Sequence, residues 1–493
     1  MKPDDLNSVH GKRAMKAMIK KKTIRRLLLG SLVIALPACK GLTSPNFNFG
    51  DVDELVDNPS RASTQAAAQG LLLGSRLYIG TGPNDILTGL GLMGRESYNH
   101  DNQDPRFESE MLRGPLNPAS PAFGGNFWAE QYANIKLGQI VLQALDALPD
   151  DPSNGFTQQE KEYLRGFVKT VNAVDFLWIV NTRDETCGCP ITIPEGTSTV
   201  PEPTVGKDQV FDKIVQLLDE AKAHFAAAGS VAPPIGLPGG FDGIPGTGAG
   251  VFQSAAGMLA FNRGLKARVA VYTGDFGAAL SALSESFLDL GAALEFGVYY
   301  SFSPLSGDLA NGYFQPGGDP NLRAHPEIRF DAELQADGVT LDDRFVRKTR
   351  PIASRSFQGL CTEQSLFPVC EVGFNMYLGQ SVPIPWIRNE ELILLRAEAN
   401  IGLGNLGAAL PDINFIRTTS GKLAPLASLG TPDTALDELL YNKRYSLFWE
   451  GGHRWIDTRR YGKFDILPLD LPGHQVNPRY PIPIDEQLAR GGG

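Results

Sequence analysis

The run ARVAVYTGDFGAAL at Ala267–Leu280 returns as AEANIGLGNLGAAL at Ala397–Leu410. Each copy opens on small residues, reaches a glycine (Gly274, Gly404) and restarts with Gly-Ala-Ala-Leu in register. This pattern reads as two helices joined by a glycine turn: glycine enters φ > 0 without steric cost, and alanine lets two helices cross closely. With only two copies visible, the chain has a helical core with repeat character and is not a full solenoid. Pro411 falls early in the second helix of the later copy and is expected to displace its start.

Helical signals extend to either side. Asn58-Pro59-Ser60 is a stop-and-cap signal before a helix over Arg61–Tyr78. Apolar periodicity predicts further helices over Phe127–Leu148, Gln158–Ile179, Asp208–Phe225 and 252–272. In the third of these, Val210, Phe211, Ile214, Leu217 and Leu218 have the spacing of a helix packed on one side. Segments 80–125 and 229–250 are rich in glycine, proline or asparagine and read as loop. Residues 291–385 read as a long irregular insertion, and a last helical block covers Asn389–Tyr461. The fold class is mainly α, with tetratricopeptide-like helix pairs as a platform. Gly 54 and Pro 35 in 493 residues fit long connections laid over it.

The formal net charge of -10 argues against a nucleic-acid partner. Near the start, Lys20, Lys21, Lys22, Arg25 and Arg26 precede an apolar run, Leu27–Ala38. That run is short of the roughly 20 residues that span a bilayer and reads as a secretory signal. It ends Leu36-Pro37-Ala38-Cys39, which resembles the lipobox of bacterial lipoproteins and implies lipidation of Cys39. The other reading is an ordinary signal peptide with a chance cysteine. Residues before Met18 read as an over-extended start. The expected organisation is a signal peptide over 1–38, a tether over 39–60 and one helical domain over 61–493, divided at 290 and 385. Cys187, Cys189, Cys361 and Cys370 remain, an even number for disulfides in an oxidising compartment. Cys361 with Cys370 is the first-choice pair, while Cys187 and Cys189 could bridge locally or across the fold. The spacings match zinc-ribbon patterns poorly.

The C-terminal block resembles the RagB/SusD family. The matching residues are Asn389-Glu390-Glu391-Leu392, Leu395–Ala399, Ile413–Arg417, and Glu450-Gly451-Gly452-His453-Arg454-Trp455 with Asp457, Arg459 and Arg460. The ending Pro481-Ile482-Pro483 with Glu486 also matches. Trp128, Tyr132, Leu164-Arg165 and Gly274-Asp275 extend the likeness more loosely to the N-terminal half. The resemblance implies a surface lipoprotein, anchored to the outer membrane and facing outward. Such a protein is not an enzyme: it captures glycans or other oligomeric nutrients for a SusC-like TonB-dependent transporter. The residues leave two rivals open, a helical scaffold lipoprotein for outer-membrane assembly and a surface glycoside hydrolase.

Catalytic and cofactor signatures are weak. Gly89–Gly94 matches GxGxxG, but no strand–turn–helix context surrounds it. The histidines are scattered without metal-ligand spacing, so no cofactor or metal is expected. Asp342-Asp343 and Glu390-Glu391 are adjacent carboxylates whose side chains splay apart, and Glu450, Arg454 and Asp457 have the i, i+4, i+7 spacing of ion pairs. Ligand binding would rest on loop aromatics and planar polar groups, because sugar C–H faces stack on rings. Two stretches have that mixture: Arg95, Tyr98, Asn99, Asp101, Asn102 and Phe107, and Tyr299, Tyr300, Phe302, Tyr313 and Phe314. If these are binding residues, Tyr98→Ala and Tyr300→Ala should leave stability unchanged.

The reading of Cys39 has a direct test. A single acyl chain holds a membrane only marginally and two hold it stably, so Cys39→Ala should lose its acyl label and leave the membrane fraction. A variant that still carries label would remove the assignment.

Overall fold

The structure, a computed structural model, describes residues 52–82, 84–120, 127–194 and 201–491. The signal segment and Cys39 lie outside the described residues. Helices α1 (Val52–Asp57) and α2 (Arg61–Gly74) lead to α3 (Ile86–Met93), strand β1 (Ser97–Asn99) and the short α4 (Arg106–Ser109). Three long helices follow: α5 (Phe127–Ala147), α6 (Gln158–Arg183) and α7 (Lys207–Ala228). Between the last two lies a minimal ribbon of β2 (Cys189–Pro190) and β3 (Thr204–Val205). Helices α8 (Ala255–Tyr272) and α9 (Phe276–Ser284) make one hairpin. The next segment holds β4 (Gly297–Tyr300), β5 (Leu322–Ala324), α10 (Glu327–Phe330), α11 (Asp343–Lys348), β6 (Thr349–Pro351), β7 (Val372–Phe374) and β8 (Ile384–Arg388). A second hairpin, α12 (Asn389–Gly402) and α13 (Leu406–Thr419), precedes α14 (Pro432–Ser446), α15 (His453–Arg460) and α16 (Ile484–Ala489). Among the described residues, no helix is long and apolar enough to cross a membrane.

The internal repeat is a structural one. Gly274 and Gly404 turn their hairpins at φ 75° and 76°, the left-handed conformation that glycine reaches freely. Asp275 caps α9 by accepting the Ala278 N–H at 3.0 Å. The ring of Phe276, on the first hairpin, lies so close to Gly402, on the second, that a Cβ there would collide with it. Pro411 sits inside α13 and does not displace its start, because the Gly404 turn sets where the helix begins. Helix α6 is buried around most of its circumference and is the central helix, between α5 and α7. Its first turn carries a capping box, Thr157 with Glu160, and Glu160 also pairs with Arg61 at 2.6 Å.

Three sequence expectations change. The tether does not run to Ser60, because α1 occupies part of it and Leu55 packs with Ile140 and Ala144. The GxGxxG run is the buried helix α3, not a loop. Its glycines allow close contact with the C-terminal block: a Cβ on Gly91 would lie 2.5 Å from Trp449 Nε1, and one on Gly89 would strike the Tyr480 hydroxyl. The insertion is organised by antiparallel ribbons, β4 with β8, β6 with β7, and β5 with β1.

Charges are buried where the C-terminal helices meet. Lys443 of α14 reaches Glu398 of α12 at 2.7 Å and Asp457 of α15 at 2.6 Å. Arg460 bonds the same two carboxylates at 3.0 and 2.7 Å. Glu450, Arg454 and Asp457 do not share one face of a continuous helix, because Gly452, in the left-handed conformation, separates Glu450 from α15. Glu450 instead takes Lys348 and Arg388, and Arg454 takes Glu327.

Removing one partner of a buried pair typically costs about 3–5 kcal/mol, so Lys443→Met should lower the unfolding free energy by that order in a urea titration. Burial alone would raise the Glu398 carboxyl, but Lys443 and Arg460 outweigh it and hold it at about 2 against an ordinary 4.5. Its stabilisation is therefore complete above pH 4.5 and lost as pH falls towards 2. Unfolding curves for Glu398→Gln should be less acid-sensitive across that window than those of the parent; equal acid sensitivity would refute this.

Candidate functional site

The site begins at His325-Pro326, where Pro326 opens the single turn of α10. Ile328 is buried and Glu327 is tied to Arg444 and Arg454, which fixes one side of the turn inward. Phe330 is left outside, 70% exposed, an unusual state for a phenylalanine. Its ring stacks on Phe367, with centroids 5.5 Å apart and planes inclined at 23°. Phe367 belongs to the loop closed by Cys361–Cys370 and meets His325 edge-on at 5.3 Å.

Beside the α10 turn lies a cleft of about 310 Å³, at the lower end of the usual size range of ligand pockets. Its apolar lining includes Leu341, Phe345, Val346 and Val372. Arg329 also lines it and bonds Glu371 at 2.6 Å, each side chain about half exposed (51% and 49%). Arg350, on β6, donates its Nε hydrogen to the Phe374 carbonyl at 3.2 Å. Its terminal nitrogens have no carboxylate partner among the described residues. An exposed ring stacked on a half-buried one, next to planar hydrogen-bonding groups, can hold a pyranose face and its hydroxyls.

The sequence candidates lie elsewhere, mostly in the core, which corrects the expectation that their rings are exposed. Arg95 is buried and donates to the carbonyls of Leu92, Pro468 and Gln475, fastening α3 to the C-terminal tail. Tyr98, 1% exposed, packs on His325 at 4.6 Å, and burial pushes its hydroxyl well above the usual phenol range. Asn99 and Phe107 are buried too, while Asp101 is half-buried and accepts the Gln103 N–H in a turn. Asn102 is exposed. Tyr299 bonds the Glu295 carbonyl, and Tyr300 stacks on Trp386 at 4.4 Å. Tyr313 donates to Asp85 and packs on Trp449, with Phe302 buried and Phe314 half-buried nearby in sequence. Strand pairing explains the burial: β1 zips onto β5, and β4 onto β8.

Both disulfides are local, Cys187–Cys189 and Cys361–Cys370, with Cα separations of 5.0 and 5.6 Å. His100, Cys361 and Cys370 bring ligand atoms within 4.8 Å of one another, but the bonded sulfurs offer no thiolate to a metal. The adjacent carboxylates are split among cations, with Asp342 on Arg344, Asp343 on Lys422, Glu390 on Arg388 and Glu391 on Arg268. Burial opposes ionisation of Glu390 and Glu391, yet Arg388 and Arg268 prevail and hold both below the usual range. A glycosidase acid needs the opposite shift.

A helical platform carrying short ribbons and loops defines a known class. The chain has the SusD-like fold. It superposes on a SusD superfamily protein from Bacteroides vulgatus with TM-score 0.65 and 12% identity, covering 87% of this chain and 97% of that one. A SusD-like carbohydrate-binding protein from Bacteroides fragilis gives 0.63 and 14%, over 87% and 98% of the two chains. A laminarin-binding SusD-like protein gives 0.61 and 17%, over 87% and 97%. No family model and no curated protein matches the sequence.

Burial separates the two sets of rings experimentally. Truncating a buried aromatic costs about 3–5 kcal/mol, so Tyr98→Ala and Tyr300→Ala should each lower the thermal midpoint strongly. Phe330→Ala should change stability by no more than about 0.5 kcal/mol. A melting experiment with the opposite ranking would return the site to the Tyr98 and Tyr300 loops.

Proposed function

We propose that this protein is a non-enzymatic glycan-capture lipoprotein of the RagB/SusD family. It is held at the outer membrane through Cys39 and faces the cell exterior, where it delivers oligosaccharides to a SusC-like TonB-dependent transporter. The observation that carries the capture role is the exposed Phe330, stacked on the half-buried Phe367 near a cleft edged by Arg329, Glu371 and Arg350. The SusD-like fold supports it, since proteins of that fold include described carbohydrate binders. The ion pairing of the adjacent carboxylates Asp342-Asp343 and Glu390-Glu391 favours binding over hydrolysis at those positions.

Affinity electrophoresis of the mature protein through gels containing individual polysaccharides tests the role. At least one glycan should retard it, and Phe330→Ala should abolish most of that retardation, because one aromatic stack contributes on the order of 1 kcal/mol and gel retardation is steep in affinity. Retardation undiminished by Phe330→Ala would move the site. Release of reducing ends during incubation would overturn the non-enzymatic assignment.

A further inference from the structure

The charges at the cleft carry more than a general affinity for sugars. Three charged side chains line it, the guanidiniums of Arg329 and Arg350 and the carboxylate of Glu371. Arg329 and Glu371 neutralise each other. Arg350 is left over. Other arginines held against the protein body spend their terminal nitrogens on carboxylates, as Arg268 on Glu391, Arg396 on Asp412 and Arg417 on Glu333 and Glu438 do, or on backbone carbonyls, as Arg95 does. Arg350 is half-buried, spends only Nε on the Phe374 carbonyl and turns no terminal nitrogen to any described carboxylate. The chain as a whole has a formal net charge of -10, which repels anions at long range. A spare guanidinium beside an apolar cleft on such a surface is a local exception. Guanidinium is also the group best matched to planar anions, which it binds through two parallel hydrogen bonds.

We propose that the ligand of this cleft is an anionic glycan, one whose rings carry carboxylate or sulfate, with Arg350 receiving the anion while Phe330 and Phe367 stack a neighbouring ring. This rests on the capture reading above and narrows its ligand class. Arg350 is then a specificity residue and Phe330 an affinity residue, so the two should respond differently to the charge on the glycan.

The test compares polygalacturonate (carboxylate), dextran sulfate (sulfate) and dextran (neutral), measuring affinity for each at low and high salt. At least one of the two anionic polymers should bind tenfold or more tightly than dextran, with affinity falling as salt screens the contact. The polymer that binds identifies the anion. Arg350→Gln should erase most of the anionic preference and flatten the salt dependence. Glu371→Gln, which removes the one carboxylate at the rim, should strengthen anionic binding, and this gain of function guards against a merely misfolded Arg350 variant. Equal affinity for dextran, or anionic binding untouched by Arg350→Gln, overturns the proposal. If neutral binding still depends on Phe330, the capture reading survives and only the ligand class is wrong; if Phe330→Ala has no effect on any polymer, both fall.

Discussion

Lys443 is the residue on which the C-terminal architecture depends. Its ammonium is almost fully enclosed between Glu398 and Asp457, and Arg460 closes the square. Dehydrating such ions is expensive, and their attraction offsets the expense only in one relative placement of the helices that carry them. The network therefore fixes geometry more than it adds net stability. Helices α12, α14 and α15 must meet at that point, and Tyr461 adds its hydroxyl to Glu398 at 2.7 Å. Trp449 and Trp455, just before and within α15, then form the surface on which Gly91 of α3 and Gly94, just after it, pack.

That arrangement also places the candidate site. Glu327 opens α10 and is gripped by Arg444 of α14 and Arg454 of α15, next to Lys443 and Trp455 in sequence. The turn that displays Phe330 is thus bonded to the helical framework, although it lies in the loop-rich segment. Binding residues on loops held by a rigid scaffold are the common arrangement. Here the holding is done by ion pairs that reach out from the scaffold.

Much of the helical framework was legible because each helix announces itself locally. Thr157 with Glu160, the period of Val210 to Leu218, and the two glycine turns need no knowledge of distant residues. The ribbons were not legible, because strands of two to five residues carry too little alternation to detect. Their partners are also remote, as Tyr98 opposite Arg323 illustrates. Without the pairing, a tyrosine between serine and asparagine looks like a loop ring available to ligand. Phe330 was missed for the converse reason. It stands between Arg329 and Asp331 in a four-residue helix, and that charged context was the one local hint of exposure. The cysteine pairing was easier to read, because short sequence separations leave few geometric choices.

The Cys361–Cys370 bridge makes the loop bearing Phe367 a covalent hoop. An open loop would sample many arrangements, and a sugar docking on it would have to freeze them, with loss of affinity for each side chain ordered. In the closed loop much of that ordering precedes the ligand's arrival and is settled when the Cys361–Cys370 bridge forms. The aromatic platform is in this sense matured by compartment: a chain kept in a reducing environment would have the same helices but a softer receiving surface.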